Sequence, residues 1–567
     1  MQIKWLRSFN LFTNFYKKRL ILLFVLMVLA VLFEVLSIGS LLPLINFLVL
    51  ESNKNEYLFN FFPYLENYHP KKIYIYITII IFVFFLLRNI FLLFYTKINA
   101  NFIAYLSVYH EERVLLNILN RNYNFLAKKN SSIFLREFQG EIKAITSQFV
   151  QPILTIALNF LTIASLIILL FVVNPQITLY AFTLSIIILL FFIFGLKTIY
   201  FNIGYQLRKE RLSFIKYIKQ IFDGIRELKI YQKEKIFISD LKKPWFRTAN
   251  IAVKKNILLI LPKITFELII IASILITFYF ISDPVELIPT LSIFMLSLMR
   301  IMPAITSTTK CFQTIQSVLP TIDSLQPHFD ENSKLETLIS KDIKFNKKIE
   351  IKNATFSFDK KIKIFEDVNL TINKNSFVGI KGSNGSGKST FVDILSGLLD
   401  LDSGEIYVDT AKIDKENKYD WISKIGYVQQ KIFFFEESLE FNITLEKNPK
   451  KIDQKRLTKI INLMSLNNFF NERDIGLDDK IDESAKNISG GQAQRLGIAR
   501  ALYNLNEIII FDEAFNNLDQ ENLNKLMNIM KYLKKKSTVI MISHLDNTFI
   551  ECDEVYEITD KKLKKIK

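Results

Sequence analysis

Gly382-Ser383-Asn384-Gly385-Ser386-Gly387-Lys388-Ser389 is the stretch on which the reading of this 567-residue chain turns. It follows an apolar run, Phe377-Val378-Gly379-Ile380, that reads as a short buried strand. It leads into Thr390-Phe391-Val392-Asp393-Ile394-Leu395, whose apolar residues have helical spacing. A strand, a glycine-rich turn and a helix start make a phosphate cradle. The glycines let backbone N–H groups turn inward, and the helix N-terminus adds partial positive charge. Lys388 reaches the terminal phosphates and the Ser389 hydroxyl ligates Mg²⁺. The expectation is that residues 382–390 bind a nucleoside triphosphate.

Outward from this stretch the composition changes character. The chain is half hydrophobic, with 51 Phe, yet carries a formal net charge of +17. That pairing suits a membrane protein with basic cytoplasmic loops. Lys and Arg flank long apolar runs and do not gather in one aromatic-interleaved patch, so a nucleic-acid partner is not expected. Two cysteines, Cys311 and Cys552, suggest neither a disulfide framework nor a zinc site.

Six apolar runs long enough to cross a bilayer lie at about 20–42, 73–95, 152–173, 176–196, 257–282 and 287–309. Short loops separate some of them, whereas 96–148 and 197–255 are long and basic. The positive-inside rule places both termini and the long loops in the cytoplasm. The long loops keep helical periodicity, with breaks near residues 125–132 and 222–224. The 57–68 loop, Tyr57 to Tyr68, is dense in aromatics, which favour the membrane interface. Domain boundaries are expected at 1–325 for the membrane region, 326–346 for a polar linker and 347–567 for a soluble domain with strands at 349–357 and 367–372.

Within the soluble domain, Ile508-Ile509-Ile510-Phe511-Asp512-Glu513 reads as a buried strand ending in two acids. Asp512 would hold Mg²⁺ and Glu513 would polarise the attacking water. His544 follows a second strand-like run, and Ser489-Gly490-Gly491-Gln492 opens a helix, a second anion-binding N-terminus. With these motifs in order, the chain resembles the ATP-binding cassette exporters along essentially its whole length. Phe358 stands for the adenine-stacking aromatic, Gln430 for the Q-loop glutamine, Asp519 for the D-loop and His544 for the switch histidine. The resemblance implies ATP and Mg²⁺ as cofactors, with Ser389, Gln430 and Asp512 on the metal and Glu513, His544 and Gln430 in catalysis. Its departures are Phe358 for Tyr, Ile488 for Leu, Asn516-Asn517 for Ser-Ala, and Asp482 and Ala485 where glycines are usual.

The implied fold is a polytopic α-helical membrane domain with six transmembrane helices followed by an α/β phosphate-loop nucleotide-binding domain. One cassette per chain implies a homodimer with each ATP between the phosphate loop of one copy and the Ser-Gly-Gly-Gln of the other. The expected location is the bacterial inner membrane.

Charged residues in the spans are Glu34, Arg88, Lys263, Glu267 and Arg300, each costing about 2.5–3.5 kcal/mol at mid-bilayer unless it faces a cavity. Arg88, Lys263 and Arg300 together would suit an anionic group. The positions resemble those of bacterial lipid-linked oligosaccharide flippases, although Ser307 stands where another basic residue is usual. That resemblance implies a polyprenyl-pyrophosphate-linked glycan and membrane lipid as partners. The alternatives are an exporter of hydrophobic drugs, lipid A-like lipids or peptides, and a nucleotide-gated channel that binds ATP without pumping.

Overall fold

A computed structural model describes residues 9, 12–13, 16–41, 70–121, 123–129, 131–280, 284–329, 342–358, 362–383, 385–473, 475–481, 488–504, 506–514, 520–544 and 546–567. The expectations for the 57–68 loop, Asn384, Asp482, Ala485, Asn516, Asn517 and Asp519 lie outside these residues. The chain divides into two compact units. One is Met1–Asn120 with Lys129–Ser333, and the other is Arg121–Lys128 with Lys334–Lys567.

In the first unit, apolar sequence in lipid keeps its backbone hydrogen bonds internal by forming helices. These are α1 Lys17–Gly39, α2 Pro70–Leu119, α3 Gln151–Val173, α4 Pro175–Leu190, α5 Lys197–Asp223, α6 Glu234–Phe280 and α7 Pro284–Phe329. Among the described residues, four helical stretches are long and apolar enough to cross a membrane: Lys17–Gly39, Ile75–Leu119, Ile142–Val173 and Leu291–Gln326. The other two expected spans fall on α4 and on the second half of α6. Helices α2, α6 and α7 have 50, 47 and 46 residues, against the ~20 that a bilayer needs, so they extend well beyond it.

Both expected breaks are present. Leu119 is followed by the short helix Tyr123–Lys128, and α5 stops at Asp223 before Gly224 and the helix Ile225–Tyr231. Helix α7 continues into the stretch expected as linker because Phe329 is buried, edge-on to Phe12 and His110. A Cβ on Gly204 of α5 would lie 1.9 Å from the Ser317 carbonyl oxygen of α7, so only glycine permits that crossing.

The second unit carries a four-stranded sheet and a six-stranded sheet. The first has the order β2-β1-β4-β5, with β1 Lys348–Ser357, β2 Lys363–Asn373, β4 Ser403–Val408 and β5 Ala411–Lys412. The second has the order β10-β9-β3-β8-β7-β6. Here β3 is Phe377–Gly382, β6 Ile425–Val428, β7 Ile508–Asp512, β8 Thr538–Ser543, β9 Glu554–Thr559 and β10 Lys562–Lys565.

Strands β6, β7, β8, β3 and β9 run parallel, and β10 adds an antiparallel edge. Parallel strands covered on both faces are apolar throughout, as β7 and β8 are. Alternate residues enter different cores. Ile508, Ile510, Ile540 and Ile542 pack with β1 and β2, while Ile509, Phe511, Val539 and Met541 pack with the helical residues Leu496, Leu526 and Met530. This layering sets the C-terminal ends of β3, β8 and β7 in a row along one edge of the sheet, where ligands bind in open α/β sheets.

Candidate functional site

Between β3 and helix α8, Lys388–Leu395, the chain makes the expected turn. Gly385 and Gly387 take φ of 83° and 98°, and a Cβ on Gly387 would strike Ile364 and Phe365, so both glycines are needed. The Lys388 ammonium is buried and donates to the Gly382 and Ser383 carbonyls at 3.0 and 3.1 Å. It also lies 3.4 Å from Glu513 Oε1. Ser386 Oγ is buried with no hydrogen-bond partner among the described residues, a polar group that a phosphate oxygen would satisfy.

Strand β7 delivers the two acids. Asp512 is buried, which pushes its carboxyl pKa up, while hydrogen bonds from Tyr427 and Ser389 hold it down. The Ser389 hydroxyl and the Asp512 carboxylate are thus already in contact, a pair of hard oxygen donors that suits Mg²⁺. Glu513 sits in the left-handed region at φ 49°, its N–H held by Ile542 O at 3.0 Å. Its carboxylate accepts from Gln430 Nε2 at 2.6 Å. His544 directly follows β8 and is exposed.

Phe358 is 38% exposed and stands edge-on to Phe356 at 5.1 Å. Ser489 caps helix α9, Gly490–Tyr503. Its hydroxyl accepts from Gln492 N at 3.3 Å, and its own N–H donates to Gln492 Oε1 at 2.9 Å. Among the described residues no hydrogen bond or ion pair joins Ser489–Gln492 to the 382–390 loop of the same chain. Arg500 of α9 is structural: its guanidinium donates to the carbonyls of Asn442 at 2.7 Å and Phe433 at 2.9 Å.

Two residues without an expected role join the site. Tyr427 Oη donates to Asp512 Oδ2 at 2.9 Å, and burial followed by the Asp512 charge raises the phenol pKa. Asp393 of α8 is pushed up to about 6, first by burial and then by Asp512. The pairing of Tyr427 with Ile510 across β6 and β7 is what brings the phenol to the acid.

In the first unit the structure brings Arg88 and Arg300 to one carboxylate. Arg88 Nη2 lies 2.9 Å from Glu34 Oε1 and Arg300 Nε 3.9 Å from it. Together with Asn159, Thr162, Pro303 and Ser307 they line a cavity of about 320 Å³. Lys263 does not line this cavity. It is largely exposed and sits 3.7 Å from Glu267, one turn away.

Residues 365–516 match the ABC transporter family. The chain has the fold of a bacterial Atm1-family ABC exporter with ATP bound, at a TM-score of 0.82 and 17% identity, covering 96% of this chain and 94% of that one. Among curated relatives, a putative export ATP-binding/permease protein of Rickettsia typhi is 34% identical over 38% of this chain and 37% of its own length. The lactococcin-G-processing and transport ATP-binding protein of Lactococcus lactis is 36% identical over 38% and 30%. The ATP-dependent lipid A-core flippase of Escherichia coli is 28% identical over 47% and 45%. The chain spans less than half the length of these relatives.

Residues 365–516 are thus an ABC transporter cassette, and the chain has the fold of an ABC exporter, with four helical stretches among the described residues long and apolar enough to cross a membrane. ATP with Mg²⁺ is the usual cofactor pair of such cassettes, and the buried Ser386 hydroxyl and the Ser389–Asp512 contact fit it.

Proposed function

We propose that this chain is an ATP-driven flippase that moves a polyprenyl-pyrophosphate-linked oligosaccharide across the bacterial inner membrane. Residues 1–325 would form the membrane domain, 326–346 the linker and 347–567 the ATPase. Both termini and the cassette face the cytoplasm, as the basic loops require.

ATP would be held by Phe358, the 382–390 loop and, from a second copy, Ser489 to Gln492. In the free site Lys388 and Gln430 both contact Glu513. Phosphate oxygens are better partners for the Lys388 ammonium, so nucleotide would release Glu513 to orient the attacking water, with His544 at the γ-phosphate. Mg²⁺, on Ser389, Asp512 and Gln430, would neutralise charge developing on the phosphates. Because nucleotide favours the paired state, binding shifts the dimer toward closure and turns the spans outward.

One observation carries the substrate assignment: Arg88 and Arg300 converge on Glu34 in a polar cavity of the helical unit. Two cations share one carboxylate, leaving a net positive site. A pyrophosphate offers Arg88 and Arg300 more acceptor oxygens than Glu34 alone. Lys263, paired with Glu267 outside this cavity, is not part of that contact.

The deciding experiment reconstitutes the chain in vesicles with a fluorescent prenyl-pyrophosphate glycan. Arg88→Ala and Arg300→Ala should abolish ATP-dependent flipping while ATP hydrolysis persists. Unchanged flipping would remove the substrate assignment.

A second reading, export of lipid A-like lipids, drugs or peptides, is favoured by a separate crevice with an almost wholly apolar lining, including Ile163, Leu170, Phe294 and Ile305. In that case ATPase stimulation by such cargo would survive both arginine substitutions.

A further inference from the structure

Beyond the predicted spans of the helical unit lies another cavity, of about 460 Å³. Its lining carries Arg208, Arg211 and Lys255 against one carboxylate, Glu141. That carboxylate is already engaged, with Arg136 Nε at 3.0 Å and Arg208 Nε at 2.8 Å on the same oxygen. Arg211 and Lys255 have no ion-pair partner among the described residues. Lys255 is buried enough that its pKa falls below the ordinary lysine value, with no carboxylate facing it to oppose the fall.

The Arg211 guanidinium lies against the Glu137–Glu141 turn, where a Cβ on Gly140 would sit 2.5 Å from Nη2. Phe214 and Trp245, 6.1 Å apart and tilted by 41°, form an aromatic wall of the same cavity.

Lys255 is drawn partly out of water with no counter-charge, which is costly, and Arg211 stands at the exposed rim beside it, so an anion is the group this cavity would accept. A guanidinium fork beside an ammonium matches phosphate oxygens. The volume leaves room for a group attached to the phosphate, packed on Trp245 and Phe214. We propose that the cavity binds a phosphate- or pyrophosphate-bearing organic anion through Arg211 and Lys255, with Glu141 fixing Arg208 as the third positive wall. The site shares no lining residue with the Arg88–Glu34–Arg300 cavity and does not depend on the transport reading.

The test uses the full chain in phosphatidylcholine nanodiscs without Mg²⁺, carrying Lys388→Ala, Arg88→Ala and Arg300→Ala so that neither the phosphate loop nor the Glu34 cavity takes the probe. Inorganic pyrophosphate is titrated by calorimetry. Arg211→Gln and Lys255→Gln should each weaken binding roughly tenfold or more, the usual worth of a charge-assisted hydrogen bond. Arg211→Lys should lose less. Gly140→Ala keeps every charge but displaces a flexible side-chain end, and it should also weaken binding. Geranyl pyrophosphate binding more tightly than pyrophosphate would make the occupant a lipid head group, and equal binding would make it a soluble phosphate compound. No pyrophosphate binding, or binding indifferent to both Arg211→Gln and Lys255→Gln, would overturn the proposal.

Discussion

The Tyr427 hydroxyl donates a 2.9 Å hydrogen bond to Oδ2 of Asp512, so β6, which ends two residues before Gln430, holds the acid proposed to bind Mg²⁺. Tyr427→Phe keeps the ring packing and removes that bond. A hydrogen bond to a charged group contributes about 1.5–3 kcal/mol, so Mg²⁺ affinity in the ATPase assay should fall by roughly tenfold or more. An unchanged Mg²⁺ dependence would show that Ser389 alone positions Asp512.

Glu513→Gln keeps the size of the side chain and removes its charge. Hydrolysis should fall by roughly a hundredfold or more, as general-base loss does, while ATP binding is retained. Normal turnover by this variant would exclude Glu513 as the group that activates water.

Asp393 gives a pH prediction of definite sign. Its folded pKa of about 6 lies above the ordinary value of 3.8, so between those values the folded chain binds more protons than the unfolded one. Stability therefore falls as pH rises through this window and is level above it. Asp393→Asn should raise the melting temperature at pH 7.5 more than at pH 4.5. An equal shift at both pH values would mean that the burial and the Asp512 charge around Asp393 have no energetic effect.

Gly204→Ala places a methyl group on the Ser317 carbonyl where α5 and α7 cross. Overpacking of this kind costs about 1–3 kcal/mol. Lower yield and melting temperature, with nucleotide binding unaffected, are expected from thermal denaturation of the purified chain.

Ser489→Ala removes the capping box at the start of α9 and should destabilise that helix end by about 1 kcal/mol. If Ser489 also touches ATP in a dimer, nucleotide-induced dimerisation should weaken far more than stability does. Light scattering with Mg²⁺-ATP separates the two effects.

The parts of this protein legible in the sequence are those set by near neighbours along the chain. The phosphate loop depends on glycine conformations and a flanking strand and helix, all within a few residues of Lys388. The spans follow from apolar runs, and Lys263 with Glu267 is a one-turn pair visible as such. What stayed hidden depends on distant pairing. Glu34 meets Arg88 across 54 residues, and Tyr427 meets Asp512 across 85. Arg88 has no acid within its own helical turn, so its partner is found only in the packing of α1 on α2. The fold likewise groups Arg121–Lys128 with the cassette, although these residues lie between two long helices of the other unit.

The most direct measurement is ATP-dependent movement of a prenyl-pyrophosphate glycan in sealed vesicles containing only this chain, followed by loss of accessibility to a membrane-impermeant quencher. The account predicts transfer with Mg²⁺-ATP, none with Glu513→Gln, and a two-chain particle when nucleotide is bound. Transfer at the same rate without ATP, or ATP hydrolysis by a strictly single-chain particle, would contradict it.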